Sequence, residues 1–153
     1  MPIEIERKFL IKESYKPQGK GEYIAQGYLT TQAECTVRVR IKDEAGYLTV
    51  KGKTQGIRRS EYEYEIPLQD AKDMLKMCAN LIEKRRYKVE YAGKIFEIDE
   101  FFGDNAGLIL AEIELASENE TFDKPKWLDK EVSADARYFN SNLSKNPYKN
   151  WRN

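Results

Sequence analysis

The regular alternation of charged and apolar residues along short segments is the feature that most constrains the fold of this chain. In the first segment, residues 2–10, two isoleucines point to one side, whereas Glu4, Glu6 and Lys8 point to the other; only Arg7 breaks the pattern. Because successive side chains of a β-strand face opposite sides, the pattern predicts a strand with one charged face. Its two carboxylates are next-but-one neighbours, so they repel each other unless a cation lies close by.

The same alternation predicts seven further strands, which are mostly connected by short turns. They span residues 23–30, 35–42, 47–53, 61–66, 83–91, 94–101 and 108–115. One helix is predicted at 70–81, with Asp70 as its N-cap, and another at 135–143, after a short segment at 130–132. Because the helices are confined to one insertion and the C-terminal part, we predict an antiparallel sheet rather than repeated parallel βαβ units.

On seven of the eight strands, one face carries the charged residues and the other the apolar ones, and the signs of the charges are sorted strand by strand. The basic residues of this face include Lys8, Arg38, Arg40, Lys51, Lys84 and Arg86, and the acidic ones include Glu4, Glu6, Glu61, Glu63, Asp99, Glu112 and Glu114. A solvated sheet face would be expected to mix neutral polar residues with both signs, so the sorting favours a highly charged ligand. An eight-stranded barrel has an interior wide enough for one small ligand. We therefore predict a mainly antiparallel β fold, a closed eight-stranded barrel or tunnel with a charged interior and flanking helices.

The types of charged residue indicate which ligands such an interior binds. Arginine grips two phosphate oxygens with its planar fork, and lysine supplies a movable point charge. Clustered carboxylates suit Mg²⁺ or Mn²⁺. The chain has no histidine, which excludes a histidine base, a histidine-bound zinc ion and a Ser-His-Asp triad. Basic groups for phosphate combined with acidic groups for a metal are what phosphoryl-transfer chemistry needs.

Length and composition limit the other possibilities. The 153 residues predict one domain, and 26 basic against 26 acidic residues leave no net charge that would attract nucleic acid or a membrane. The sequence has neither an apolar run long enough for a membrane span nor a signal peptide, so we expect a cytoplasmic protein. The two cysteines, Cys35 and Cys78, are expected to be free thiols.

Taken in order, these residues resemble the CYTH superfamily, the triphosphate tunnel metalloenzymes, in its short bacterial type. Residues 4–8 read as its ExExK signature, and Arg38 with Arg40 resembles its paired-arginine strand. The later positions resemble the lysine after the hairpin, the acidic strand, the second basic strand and the late acidic pair of strands. They are Lys51, then Glu61 and Glu63, then Lys84 and Arg86, then Asp99 with Glu112 and Glu114. The resemblance covers essentially the whole chain, so residues 1–153 are expected to form a single tunnel domain.

The resemblance implies divalent-metal-dependent hydrolysis of a triphosphate, above all inorganic tripolyphosphate or a nucleoside triphosphate, with release of phosphate. The residues expected to bind substrate are Lys8, Arg38, Arg40, Lys51, Lys84 and Arg86, and those expected to bind metal are Glu4, Glu6, Glu61, Glu63, Asp99, Glu112 and Glu114. Those expected to be catalytic are Glu4, Glu6, Lys8, Arg40 and Lys51. The alternatives are a class IV adenylate cyclase, a thiamine triphosphatase and a non-catalytic module that binds polyphosphate or nucleotide. A homodimer is a further expectation.

Other charged and aromatic residues lie outside the family pattern. Those on the predicted inner face, interpreted as residues of the tunnel mouths, are Lys42, Lys53, Glu65, Lys88 and Glu97. Arg58 and Arg59 precede the acidic strand and are interpreted as part of a solvated loop, the alternative being that they guard an entrance to the tunnel. Trp127 and Trp151 are interpreted as packing residues rather than platforms on which a base stacks.

Overall fold

The computed structural model describes residues 2–151, and nine β-strands run through this part of the chain. They are β1 (Ile3–Ile11), β2 (Glu22–Gln32), β3 (Cys35–Lys42), β4 (Ala45–Gly52), β5 (Arg58–Ile66), β6 (Ile82–Tyr91), β7 (Lys94–Phe101), β8 (Ile109–Glu114) and β9 (Leu128–Glu131). The strands pair in the order β5-β4-β3-β2-β6-β7-β8-β1-β9, and β5 also pairs with β1. This last pairing closes eight strands into an antiparallel barrel, so the predicted fold is confirmed.

The barrel closes at β1. One edge of β1 pairs with β8 from Glu6 to Leu10. The other edge pairs with β5 at residues 3–5 and then with β9, where Phe9 lies opposite Glu131. β9 therefore covers the part of β1 that β5 does not reach, which leaves less of that edge open. The sequence predicted only a short segment at 130–132 here, so this ninth strand begins earlier than expected.

The first helix, α1 (Leu68–Leu75), differs in its bounds from the predicted helix at 70–81. It begins directly after Pro67, whose fixed φ suits the residue before a helix, so the prediction of Asp70 as N-cap is wrong. Residues 76–78 bond to carbonyls three residues back, which tightens the last turn and ends the helix early.

The predicted C-terminal helix is also divided. A 3₁₀ turn at Ala136–Tyr138 precedes α2 (Asn140–Lys145), and Phe139 between them has an extended backbone. Two further 3₁₀ turns lie at Gly103–Asn105 and Tyr148–Asn150. Among residues 2–151, no helix has the length and apolar character that crossing a membrane requires. Residues 1, 152 and 153 of the predicted domain lie outside the described part.

Besides a cluster on the inner face around Ile82, Phe101 and Leu110, a hydrophobic core lies on the outside of the barrel, as the alternation predicts. On β1, β7 and β8 its almost fully buried members include Phe9, Phe96, Ile98, Ala111 and Ile113. Phe122 and Trp127, from the segment before β9, pack against this group. Burial of these side chains contributes a large part of the hydrophobic driving force for the fold.

Helix α1 covers another part of the outer face. Its Ala71 and Leu75 pack with the fully buried Val39 of β3. On β5, however, Tyr62 and Tyr64 are 37% and 60% exposed. The expectation that a second subunit covers part of the outer face stays a prediction.

Replacing Phe96 with alanine should lower the free energy of unfolding by about 3–5 kcal/mol, because it leaves a cavity in this outer core. Ile95 precedes it on β7 and is 55% exposed, so Ile95→Ala is a control that should cost under about 1 kcal/mol. Urea unfolding followed by circular dichroism measures both values. Equal losses would contradict the location of the core.

Candidate active site

The barrel encloses a cavity of about 250 Å³, and all eight of its strands contribute to the lining. Every predicted site residue except Asp99 lines it. These are Glu4, Glu6, Lys8, Arg38, Arg40, Lys51, Glu61, Glu63, Lys84, Arg86, Glu112 and Glu114. The volume lies below the roughly 300 Å³ at which pockets for drug-sized ligands begin, so the cavity suits a small ligand.

One part of the cavity wall has an excess of positive charge. Burial, with Arg38 and Arg86 nearby, lowers the pKa of the Arg40 guanidinium to about 9, so Arg40 stays charged at pH 7. The Nε atom of Arg38 is buried without a hydrogen-bond partner in the described residues. Burial also lowers the pKa of the Lys84 ammonium to about 7, although Asp99 opposes the shift. A bound anion would compensate the charges of this part.

Another part of the wall has an excess of negative charge. Burial raises the pKa of Glu6 well above its usual value, and the carboxylates of Glu112 and Glu4 add to the shift. Burial and Glu4 also raise the pKa of Glu61. The cation in contact with Glu4 and Glu61 is Lys51, whose Nζ lies 3.1 Å from Glu4 Oε1 and 3.2 Å from Glu61 Oε2. One ammonium group does not balance these carboxylates, so a bound cation would stabilise this part.

Lys8 and Glu112 connect the two parts, because their strands place them directly opposite each other. Lys8 Nζ lies 4.0 Å from Glu112 Oε1, and Arg86 Nη2 lies 3.9 Å from the same oxygen. Burial alone would raise the pKa of Glu112, but Lys8 and Arg86 outweigh burial and lower it well below its usual value. Glu112 therefore stays ionised between the cations and the crowded acids.

Asp99 does not line the cavity and is fully buried. Its Oδ1 accepts a hydrogen bond from Arg86 Nε at 2.8 Å, and its Oδ2 accepts one from Arg86 Nη2 at 2.9 Å. Lys84 Nζ lies 2.8 Å from Oδ2. Burial alone would raise the pKa of Asp99, but Arg86 and Lys84 lower it to about 2. In this structure Asp99 orients two basic residues, and its role as a metal ligand stays a prediction.

The break in the C-terminal helix brings a further segment to the cavity. Its lining residues are Ser133, Phe139, Asn140 and Ser141. Lys8 Nζ donates a hydrogen bond to the Tyr138 carbonyl at 3.1 Å and lies 5.8 Å from the centre of the Phe139 ring. The sequence reasoning missed this segment, because a continuous helix at 135–143 gave no reason to expect an extended residue that faces the barrel.

The sequence reasoning also missed two residues of β2. The strand register places Gln26 opposite Arg40 and Tyr28 opposite Arg38. Tyr28 lines the cavity, and Gln26 Oε1 accepts a hydrogen bond from Arg40 Nε at 2.8 Å. The alternation of β2 puts both residues on the inner face, but neither is charged, so sorting by charge did not find them.

The residues outside the family pattern divide into two groups. Those that line the cavity are Lys42, Glu97 and Arg59, and those that are exposed and do not line it are Lys53, Glu65, Lys88 and Arg58. The interpretation of Arg59 as part of a solvated loop is therefore wrong. Its Nε donates to the Gly52 carbonyl at 3.1 Å and its Nη2 to Thr36 Oγ1 at 3.2 Å, so two strands hold it at the cavity.

Comparison with known proteins agrees with this arrangement. The sequence-family model of the CYTH domain matches residues 2–147 of the chain. The chain belongs to the CYTH family. An inorganic triphosphatase of Acetivibrio thermocellus is 51% identical over 155 residues, which cover 99% of each chain. A crystal structure of an inorganic triphosphatase has 33% identity and a TM-score of 0.68, and the match covers 94% of this chain and 95% of that one.

The predicted family is thus confirmed. A Bacillus halodurans protein described as a candidate adenylate cyclase has 17% identity and a TM-score of 0.55, over 76% of this chain and 82% of that one. At this identity the match shows a common fold only.

Both tryptophans of this CYTH chain lie in aromatic groups and do not line the cavity. Trp127 stacks on Tyr15 with ring centres 4.7 Å apart and meets Phe96 edge to face. Trp151 meets Tyr138 and Tyr148 edge to face. The structure agrees with their interpretation as packing residues.

The carboxylates of the CYTH cavity can hold a metal only together with other ligands. In the part of the chain that the structure describes, no three of them converge closely enough to enclose an ion. Mg²⁺ in phosphate-processing sites is commonly bound by one or two carboxylates, with water and substrate phosphates completing the shell. The crowding around Glu6, and the pKa of Glu114, which burial and Glu4 raise, fit such an open site.

Asp99→Asn should lower the free energy of unfolding by about 3–5 kcal/mol at pH 7, because it removes a buried carboxylate that compensates two buried cations. The lowered pKa means that the ionised Asp99 stabilises the fold above its ordinary value of 3.8 and loses this effect as the pH falls towards 2. The variant should lack this acid-dependent loss. Urea unfolding over a pH series measures both effects.

Glu97→Gln is the control for this experiment. Glu97 Oε2 lies 3.4 Å from Arg86, but the side chain of Glu97 is 33% exposed. Its loss should cost no more than about 1 kcal/mol, because solvent screens the pair. If both variants were equally stable, the structural role of Asp99 would be wrong.

Proposed function

We propose that this protein hydrolyses inorganic tripolyphosphate, with release of phosphate, in a reaction that depends on a divalent metal. The observation that carries the proposal is the division of one cavity into a part with excess positive charge and a part with excess negative charge. The first part attracts a polyanion, and the second attracts the metal that accompanies it. The similarity to inorganic triphosphatases at 51% and 33% identity supports the same substrate.

The basic residues bind and orient the phosphate chain in this proposal. Arg38 has a buried Nε without a partner in the described residues, so it can donate to a phosphate oxygen with no loss of an existing bond. Arg40 and Lys84 are buried cations whose charges a phosphate would compensate. The residues proposed to bind the phosphate chain are Lys8, Arg38, Arg40, Lys51, Lys84 and Arg86.

The carboxylates hold the metal, for which the oxygen ligands suit Mg²⁺ or Mn²⁺. When bound, the ion neutralises charge on the transferred group and lowers the pKa of the attacking water. The proposed ligands are Glu4, Glu6, Glu112 and Glu114, with Glu61 and Glu63 as further ligands or as residues that orient lysines and arginines. For Asp99, the contacts favour orientation of Lys84 and Arg86 over direct coordination.

Lys51 has a distinct role in the proposed reaction. Glu4 and Glu61 hold its ammonium group at the acidic part of the wall, where it can contact a phosphoryl oxygen next to the metal ligands. Its charge offsets repulsion between the carboxylates and the incoming polyanion. A fixed cation in a largely buried site stabilises developing charge more strongly than a mobile cation in water does.

The alternatives receive less support. An adenylate cyclase must hold a base and a ribose beside the triphosphate, yet both tryptophans pack in aromatic groups away from the cavity. The similarity to a candidate cyclase is one of fold alone. A non-catalytic binding module would be expected to lack metal-binding acids, whereas the expected acidic positions are all filled.

A substrate panel tests the proposal directly. We expect phosphate release to be fastest from tripolyphosphate, slower from ATP and thiamine triphosphate, and abolished by a chelator. Mg²⁺ and Mn²⁺ are supplied separately, and both phosphate and cyclic AMP are measured. Cyclic AMP as the main product from ATP would indicate a cyclase, and tight binding of tripolyphosphate without turnover would indicate a binding module.

Glu6→Gln should lower the turnover number roughly hundredfold or more, because it removes a proposed metal ligand. Its melting temperature should not fall, because the raised pKa of Glu6 shows that its ionised form is unfavourable in the folded protein without a metal. Glu90→Gln, an exposed change on β6, is the control and should alter neither value. Metal-saturated activity together with thermal melting separates loss of catalysis from loss of fold.

A further inference from the structure

Asn140 connects the C-terminal segment to the basic part of the cavity. Its Oδ1 accepts hydrogen bonds from Lys84 Nζ and from Gln26 Nε2, each at 2.9 Å. Gln26, which is fully buried, accepts a hydrogen bond from Arg40 Nε at 2.8 Å through its Oε1. The fully buried Leu143 anchors the helix that Asn140 begins. Side chains from β6, α2, β2 and β3 thus form one hydrogen-bonded chain.

The two cations at the ends of this chain fix the orientation of both amides. The charged form of Lys84, which the ionised Asp99 favours at 2.8 Å, has only donors, so Asn140 must present its oxygen to it. Arg40 also has only donors, so Gln26 must present its oxygen to Arg40 and its NH₂ group to Asn140. Both amides therefore have a single arrangement that satisfies every contact. A network with one arrangement holds its members more rigidly than one that can reverse.

We propose that Asn140 is a positioning residue that sets the orientation of Lys84 directly and of Arg40 through Gln26. The proposal rests on the proposed function, in which both cations bind phosphate. Asn140 is neutral, so it orients the cations without compensating their charge. A carboxylate in its place would accept the same two hydrogen bonds but would compete with phosphate for the positive charge.

Lys84 shows why a neutral partner matters. Asp99 already compensates one side of its ammonium group at 2.8 Å, and Asn140 accepts a hydrogen bond from another of its protons. An ammonium group has three donors, so one remains for a ligand. The chain therefore directs the third proton of Lys84 while the site keeps its excess of positive charge.

The test compares Asn140→Ala with Asn142→Ala, a matched change on the same helix. Asn142 bonds to the Ala136 carbonyl and touches none of the cavity cations in the described structure. Asn140→Ala should lower kcat/KM for tripolyphosphate roughly ten- to hundredfold, the effect of losing hydrogen bonds to charged groups. Asn142→Ala should leave kcat/KM unchanged. Equal values for the two variants, both folded by thermal melting, would overturn the proposal.

Asn140→Asp separates orientation from charge. It keeps the two accepted hydrogen bonds and adds a negative charge, so kcat should recover towards that of the wild type while KM rises. If Asn140 had a purely structural role, the activities of the aspartate and alanine variants would instead fall in proportion to their losses in melting temperature. That outcome would overturn the proposal.

Gln26→Ala tests the connection to Arg40 from the opposite side, without a change in the C-terminal segment. We expect the Gln26→Ala, Asn140→Ala double variant to lose less activity than the product of the single losses, because both changes break the same chain. If the activity loss of the double variant equalled the product of the two single losses, the connection between Asn140 and Arg40 through Gln26 would be contradicted. Calorimetric titration with tripolyphosphate repeats the comparison on binding alone. If the wild type released no phosphate, the proposed function would fail, whereas the affinities would still decide the role of Asn140.

Discussion

A closed barrel with charged residues on its inner face must compensate those charges, because burial of an uncompensated charge is costly. Asp99 meets this need for Lys84 and Arg86 within the chain. Arg40 and Glu6 have no equivalent compensation in the described structure, and Arg38 has only the partly exposed Glu63 at 3.6 Å, with its buried Nε left without a partner. The remaining charges therefore depend on what the cavity binds, and this dependence connects the fold to the proposed chemistry.

On part of the barrel, the packed core and the cavity lie on different faces of the same strands. On β7, Phe96 and Ile98 point outward into the packed core, whereas Glu97 lines the cavity between them in sequence. The strand period of two makes this separation possible, since changing one face leaves the other in register. An inner face can consequently hold carboxylates that repel each other, as Glu6 and Glu4 do, while the outer core keeps the barrel closed. Activity at the cost of local stability is common in binding sites.

The alternation of residues was enough to predict the barrel, its charged interior and nearly all of the charged residues that line the cavity. It could not predict that Asp99 binds Lys84 and Arg86 without lining the cavity. The alternation assigns a residue to one face of a strand but does not give its distance from a ligand. It also missed Gln26 and Asn140, since neutral amides carry no charge pattern and their contacts depend on strand register and on the break at Phe139. Tertiary contacts decided these details, as they decided the early end of α1.

The two unbalanced parts of the cavity share Glu112 and Lys8, which makes their ligands interdependent. In the proposed function, an anion on the basic part would reduce the pull of Lys8 and Arg86 on Glu112, which would make its carboxylate more available to a metal. In the proposed function, a metal on the acidic part would likewise reduce the pull of the carboxylates on Lys8, which would leave its ammonium group freer to bind phosphate. Such coupling is reciprocal by thermodynamic necessity. The cavity is therefore suited to binding a polyphosphate and its metal together rather than either one alone.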